Sequence, residues 1–164
     1  MRVYLPTTAR LLHALVDTGE LVPPLTGFAV TPELREWYVD NDIEELEYAA
    51  MLEAARGSLR LLDEDRRAPR RRIVLAVDMP DEAVSIRPDL DRAAVRISAS
   101  VPLRLVAAVH ADGPDAEPAV GAAADAILEA DLGEEDAQFV VDEAEGHELL
   151  WFASQEIESL LTSI

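Results

Sequence analysis

The chain contains no cysteine, which excludes disulfides, thiolate metal sites and a cysteine nucleophile. It contains no lysine either, so all 14 basic residues are arginine. No apolar stretch approaches the roughly 20 residues that a membrane-spanning helix needs. The apolar region that follows Met1 is too short for a signal peptide. We therefore expect a cytoplasmic protein that is not associated with a membrane.

Signatures of phosphate and nucleic-acid binding are also missing. The seven glycines are scattered, so the chain has no glycine-rich phosphate loop. No serine lies in a Gly-x-Ser-x-Gly nucleophile elbow. A nucleic-acid surface requires clustered basic residues. Only residues 66–72 offer such a cluster, without interleaved aromatic residues. We therefore expect no nucleic-acid partner.

What the chain has in excess is negative charge, with a formal net charge of −19. Residues 105–164 carry fifteen acidic side chains and no basic one, so this acidic C-terminal third supplies −15 of the total. Charge of one sign at this density repels anions and attracts cations or basic proteins. The sequence therefore favours a basic protein as partner.

The main counter-charge lies in a basic connector, residues 63–72, which contains Arg66, Arg67, Arg70, Arg71 and Arg72. One interpretation is a docking site for an anionic partner. The other is a solvated linker that folds back toward the acidic C-terminal third and weakens its self-repulsion. We favour the second interpretation.

The length of 164 residues fits a single α+β domain spanning residues 1–164. The apolar patterns predict strands near 3–5, 28–30, 73–77, 95–101, 105–109 and 149–152, and an irregular segment over 78–92. Between and around them the sequence predicts helices, the longest from about Ile43 to Leu62. We expect a mixed, mainly antiparallel sheet of four to six strands with packed helices.

One candidate metal site follows from the expected strand directions. Only Pro102 to Arg104 separates the strands 95–101 and 105–109, so these two should pair antiparallel. In a three-stranded meander, the strands 73–77 and 105–109 then point the same way. The side chains at their ends would be Asp78, Asp81, His110 and Asp112. Such a set could hold Zn²⁺, Mn²⁺ or Mg²⁺ and activate water. Alternatively, the aspartates simply begin loops.

A second candidate is an aromatic cluster. It consists of Trp37, Tyr38 and Tyr48, with Arg35 nearby. Aromatic and arginine side chains are the usual hot spots of protein interfaces. These residues could line a ligand pocket or a protein contact, but we favour the alternative that they pack in the core.

Several stretches resemble a known family. They read MRVYLP at residues 1–6, TPELREWY at 31–38, EELEY at 44–48 and HELLWFASQE at 147–156. With similarity that runs nearly end to end, the chain resembles an uncharacterised family of small acidic actinobacterial proteins. The resemblance implies a cytoplasmic actinobacterial protein and would explain why every basic residue is arginine. It implies no activity and assigns no functional residues.

Two functional hypotheses follow. The first is a non-enzymatic binding module that acts through acidic and aromatic surfaces and needs no cofactor. Its partner would be a basic protein or a second copy of the chain. The alternative is a metal-dependent hydrolase with a divalent metal held by the carboxylates and His110 at the strand ends.

Overall fold

The computed structural model describes residues 1–39 and 42–164. Asp40 and Asn41, which the sequence predicts to separate two helices, lie outside the described residues. The strands are β1 (Arg2–Thr7), β2 (Glu20–Leu21), β3 (Leu25–Phe28), β4 (Ile73–Asp78), β5 (Val84–Ile86), β6 (Ala94–Ile97), β7 (Val101–Pro102), β8 (Val106–Ala111) and β9 (Leu150–Ala153). The helices are α1 (Ala9–Thr18), α2 (Pro32–Trp37), α3 (Ile43–Glu64), α4 (Glu117–Asp131), α5 (Glu135–Glu145) and α6 (Ile157–Ser163).

Seven strands form the main sheet in the order β5-β6-β3-β1-β4-β8-β9, and every pair of neighbours is antiparallel. A separate two-stranded sheet pairs β2 with β7. The predicted α+β class is confirmed, but the predicted number of four to six strands is wrong. The additional strand is β5, which lies in the segment predicted to be irregular. With three residues, β5 is too short to show an alternating pattern.

The predicted pairing of strands 95–101 and 105–109 is also wrong. That first segment divides into β6, which pairs with β3 and β5, and β7, which pairs with β2. A 3₁₀ turn at Leu103–Leu105 then leads into β8, which pairs with β4 and β9. A short connection permits a hairpin but does not enforce one, because the apolar alternation fits any neighbouring strand.

The two faces of the main sheet pack against different helices. One face contacts α1 and α6 through alternate residues of the central strands, including Val3, Leu5, Leu75, Val77 and Val109. The opposite face contacts α3 through the intervening residues, including Tyr4, Val74, Ala76 and Ala108. A third apolar cluster joins the C-terminal half of α3 to α4 and α5. Helix α3 is therefore buried between the sheet and the α4–α5 pair.

Local chemistry fixes where α3 begins and how closely it approaches the sheet. The Asp42 side chain accepts a hydrogen bond from the backbone N–H of Glu44, which caps the helix. At Gly57 a Cβ would lie 3.0 Å from Cγ of Pro6, so glycine permits the close approach to β1. The hydroxyl of Ser58 donates to the carbonyl of Thr7 at 2.7 Å. These contacts hold α3 across the centre of the sheet.

The basic connector folds back onto the acidic C-terminal third. Arg66 forms an ion pair with Asp125 at 2.7 Å, and Arg71 forms one with Glu117 at 2.9 Å. Arg70 donates instead to backbone carbonyls, including that of Leu62. The connector therefore folds back onto the acidic C-terminal third as we expect from the sequence. It is not solvated along its whole length, however, because Arg71 is buried.

The last arginine of the connector makes a buried ion pair with Asp112. Nε and Nη2 of Arg72 each lie 2.8 Å from a carboxylate oxygen of Asp112, and the two side chains are 1% and 0% exposed. The backbone N–H of Arg72 also donates to this carboxylate at 2.8 Å. Nη2 of Arg72 additionally donates to the carbonyl of His147 at 2.8 Å. The pair thereby links the start of β4, the end of β8 and the segment that precedes β9.

We predict that Asp112→Asn destabilises the fold by about 3–5 kcal/mol, because the guanidinium of Arg72 would stay buried without a compensating charge. Urea unfolding followed by circular dichroism measures this loss. Asp89→Asn is the matched control, since it removes an exposed ion pair with Arg87 and should leave the unfolding midpoint unchanged. A midpoint for Asp112→Asn equal to that of the control would contradict the prediction.

Candidate functional site

The structure does not bring the four candidate metal ligands together. Asp78 is the last residue of β4, and Asp112 directly follows β8. These strands are antiparallel, so the two aspartates lie at opposite ends of the sheet. The expected common direction of the two strands is therefore wrong. Nε of Arg2 contacts the Asp78 carboxylate at 2.7 Å. Across residues 1–39 and 42–164, no three His, Asp or Glu side chains are arranged to hold a metal ion.

Helix α3 covers the middle of one sheet face and leaves a flank open on each side. On one side of α3, over β3 and β6, a cavity of about 320 Å³ is lined by the charged residues Glu53, Arg60, Asp91 and Arg96. Burial, followed by the charge of Asp91, raises the pKa of Glu53. Because the lining contains two acidic and two arginine side chains, this cavity has no strong preference for ligand charge.

The predicted aromatic cluster lies at the surface, so core packing does not explain it. Trp37 is 61% exposed, and Arg35 is exposed on the same helix, α2. The guanidinium carbon of Arg92 lies 3.5 Å from the centroid of the Trp37 ring, which is a cation–π contact. One face of Trp37 is therefore already occupied, whereas Tyr48, on α3, is 51% exposed.

Tyr48 stands between two grooves. The larger, of about 690 Å³, lies on the α2 side, and the smaller, of about 230 Å³, lies toward β8. Neither groove has an arginine in its lining. We call this region the Tyr48 surface, which consists of Tyr4, Tyr38, Asp42, Glu44, Glu45, Glu47, Tyr48, Met51, Leu52 and His110.

Hydrogen bonding and burial determine the charge of the smaller groove. The hydroxyl of Tyr4 donates to the carboxylate of Glu47 at 3.0 Å. The pKa of Tyr4 is raised to about 12, mainly by burial and secondly by the charge of Glu47. The pKa of His110 is lowered, mainly by burial and secondly by the charge of Arg2. Tyr4 and His110 are therefore neutral at pH 7, and the carboxylates give the groove its negative charge.

Strand β9 extends this surface to the edge of the sheet. Trp151 is the register partner of His110, so its side chain lies on the same sheet face, and it is 62% exposed. A cavity of about 150 Å³ between α3 and the chain before β9 is lined partly by Tyr48, Glu145 and Glu148. The sequence predicts a buried strand here. Its continuous apolar run does not reveal that this strand lies at an edge with Trp151 exposed.

The Tyr48 surface combines exposed aromatic rings, the apolar side chains of Met51 and Leu52, and carboxylates. Such a combination binds cationic groups, because the carboxylates attract the charge and the ring faces accept it through cation–π contacts.

We predict that Glu47→Gln lowers the pKa of Tyr4 from about 12, because it removes the second-largest cause of the shift. The pKa should stay above about 10, the ordinary value for tyrosine, since burial is the larger cause. Tyr4 has a raised pKa in the folded state, so its contribution to stability is complete below about pH 10 and is lost as the pH rises toward 12.

Absorbance at 295 nm during alkaline titration measures this pKa, and Tyr4→Phe identifies which of the three tyrosine transitions belongs to Tyr4. An unchanged Tyr4 transition in Glu47→Gln would show that the carboxylate does not act on the phenol.

A family model matches residues 1–161, nearly the whole chain, and describes a family of unknown function (DUF6912). No curated protein and no solved structure matches significantly. No helix within the described ranges has both the length and the apolar character to cross a membrane. The family resemblance seen in the sequence is thus confirmed, and the chain belongs to this family of unknown function.

Proposed function

We propose that this protein is a non-enzymatic cytoplasmic binding module that takes a basic segment of a partner protein at the Tyr48 surface. One observation carries the proposal: exposed Tyr48 lies between two grooves whose charged lining residues are all acidic. Arginine side chains of the partner would place their positive charge between these carboxylates and stack their planar guanidinium groups on the tyrosine rings. The ammonium group of lysine is not planar and cannot stack in this way, so arginine fits this surface better than lysine does.

Ion pairing separates the carboxylates of the Tyr48 surface from some of those in the acidic C-terminal third. Asp112, Glu117 and Asp125 are each paired with an arginine of the basic connector, and Asp131 is paired with Arg60 at 2.7 Å. Among the described residues, by contrast, Glu44, Glu45 and Glu47 make no ion pair. Within the same described part of the chain, ten of the fifteen acidic side chains after Arg104 are unpaired as well. What distinguishes the start of α3 is that its three carboxylates without an ion pair lie next to the exposed ring of Tyr48.

Charge also favours a different protein over a second copy of the chain. Each copy carries a net charge of −19, so self-association through the Tyr48 surface would bring two sets of carboxylates together. Like charges at an interface oppose association, whereas a basic segment accelerates encounter and binds most strongly at low salt. A homo-oligomer remains the rival outcome, and sedimentation velocity distinguishes it.

We predict that the triple variant Glu44→Gln, Glu45→Gln, Glu47→Gln weakens binding of an eight-residue peptide of alternating arginine and valine by about tenfold. Exposed charge pairs contribute about 0.5 kcal/mol each, and about 1.4 kcal/mol corresponds to tenfold in affinity. Fluorescence anisotropy of the labelled peptide, at low and at high salt, measures the change. Tyr48→Ala should weaken binding as well, through lost ring contact.

The matched control is Glu134→Gln, Glu135→Gln, Glu143→Gln, which removes the same charge from exposed positions in and beside α5. This control should lose little affinity, because its carboxylates lie outside the Tyr48 surface. Equal weakening by both triple variants would mean that the peptide responds only to total charge, and the proposed site would be abandoned.

A further inference from the structure

Strand β9 is an open edge of the main sheet. It is the terminal strand of the sheet order, where β8 is its neighbour, and its sequence Leu150-Trp151-Phe152-Ala153 contains neither a charge nor a proline. Leu150 and Trp151 are 52% and 62% exposed. Successive side chains of a strand point to opposite faces, so apolar surface is exposed on both sides of this edge.

The opposite edge of the same sheet is protected. Strand β5 has only three residues, and Arg87, Pro88 and Asp89 follow it directly. Arg87 and Asp89 form an exposed ion pair at 2.8 Å. Short length, proline and charge are the usual devices by which proteins prevent an edge from pairing with another chain. Strand β9 is one residue longer and also has flanking carboxylates, but no proline and no ion pair adjoins it among the described residues. Of the two edges, β9 is therefore the one more open to a further strand.

We propose that the basic segment binds in extended form and pairs with β9 as an eighth strand of the sheet. This mode of binding rests on the proposed function and adds to it the backbone conformation of the partner. Main-chain hydrogen bonds along β9 would supply affinity, and alternate side chains of the added strand would supply selectivity.

The position of β9 beside the Tyr48 surface specifies the partner's sequence pattern. An added strand lies about 4.8 Å beyond β9 and places every second side chain on the face that carries Trp151. On that face, His110 next to Trp151 borders the groove that contains Glu44 and Glu47. On the other face, Leu150 offers apolar contact. The partner segment should therefore alternate basic and apolar residues.

Charge complementarity selects a basic segment over a second copy of β9. Glu148 lies just before the strand, and Glu156 and Glu158 follow shortly after it, with no basic residue beyond Arg104. Two copies paired edge to edge would bring these carboxylates close to one another. A basic strand instead neutralises them, so the occupant is a segment of a different protein.

The edge is held in place before any partner binds. Nη2 of the buried Arg72 donates to the carbonyl of His147, which fixes the chain three residues before β9. After β9, Ile157, Leu160 and Leu161 of α6 are buried in the core. Because both flanks are anchored, binding requires ordering of the partner alone, which lowers the cost of association.

Backbone N-methylation of the alternating arginine–valine peptide tests strand pairing directly. In a strand, the N–H groups of alternate residues point to the same side. Two peptides are compared by anisotropy with the unmodified peptide: one N-methylated at its arginines and the other at its valines. We expect one of the two to lose affinity by about 100-fold, because methylation removes two to three hydrogen bonds and leaves carbonyls of β9 without a donor. The other should bind nearly as the unmodified peptide does.

If the unmodified peptide binds but the two methylated peptides weaken equally, or not at all, strand pairing is overturned while binding at the Tyr48 surface stands. If the unmodified peptide does not bind, both proposals fail. Trp151→Thr keeps a good strand-forming residue and should weaken the unmodified peptide without changing the unfolding midpoint by more than a small amount. A dimer in sedimentation velocity that dissociates in Trp151→Thr would show that a second copy occupies the edge, and would overturn the proposal.

Discussion

The ion pair between Arg72 and Asp112 is the contact on which the arrangement of the sheet depends. Its guanidinium and carboxylate are almost fully buried, so each charge is tolerated only because the other faces it at 2.8 Å. The pair connects strands that are distant in the sequence, because Arg72 precedes β4, Asp112 follows β8 and His147 precedes β9. A buried pair of this kind adds little net stability compared with apolar packing, but it rejects any register in which either charge lacks its partner.

The sequence predicts elements better than it predicts their neighbours. Alternating and continuous apolar runs locate β1, β4, β6 and β8 because side-chain periodicity is a local property. Pairing is not local: β6 and β8 are close in sequence, yet β3, β1 and β4 lie between them in the sheet. The candidate metal site failed for this reason, since it required a strand direction that only pairing determines. The aromatic residues of the candidate binding site needed no such assumption, and their exposure is visible in the structure.

Ion pairing removes part of the charge that composition places in the acidic C-terminal third. Five of its fifteen carboxylates face arginines of α3 or of the basic connector. Neutralisation by Arg60 and Arg56 lowers the pKa of Asp131, as expected for a carboxylate held by two guanidinium groups. The fold thereby uses its arginines to offset self-repulsion around α4 and α5. The unpaired carboxylates among the described residues include Glu44, Glu45 and Glu47, which lie in the first turns of α3 next to exposed tyrosines.

The two edges of the sheet connect this distribution of charge with the topology. An edge strand with exposed apolar residues on both faces promotes uncontrolled association unless something limits its choice of partners. At β9 the limit is electrostatic rather than steric, because no charge or proline interrupts the strand itself while Glu145, Glu148 and Glu156 surround it. In the proposed binding mode, these carboxylates disfavour pairing between copies of the chain and leave the edge accessible to a strand of opposite charge. The same negative potential that opposes compaction of an acidic domain would then select the partner of the open edge.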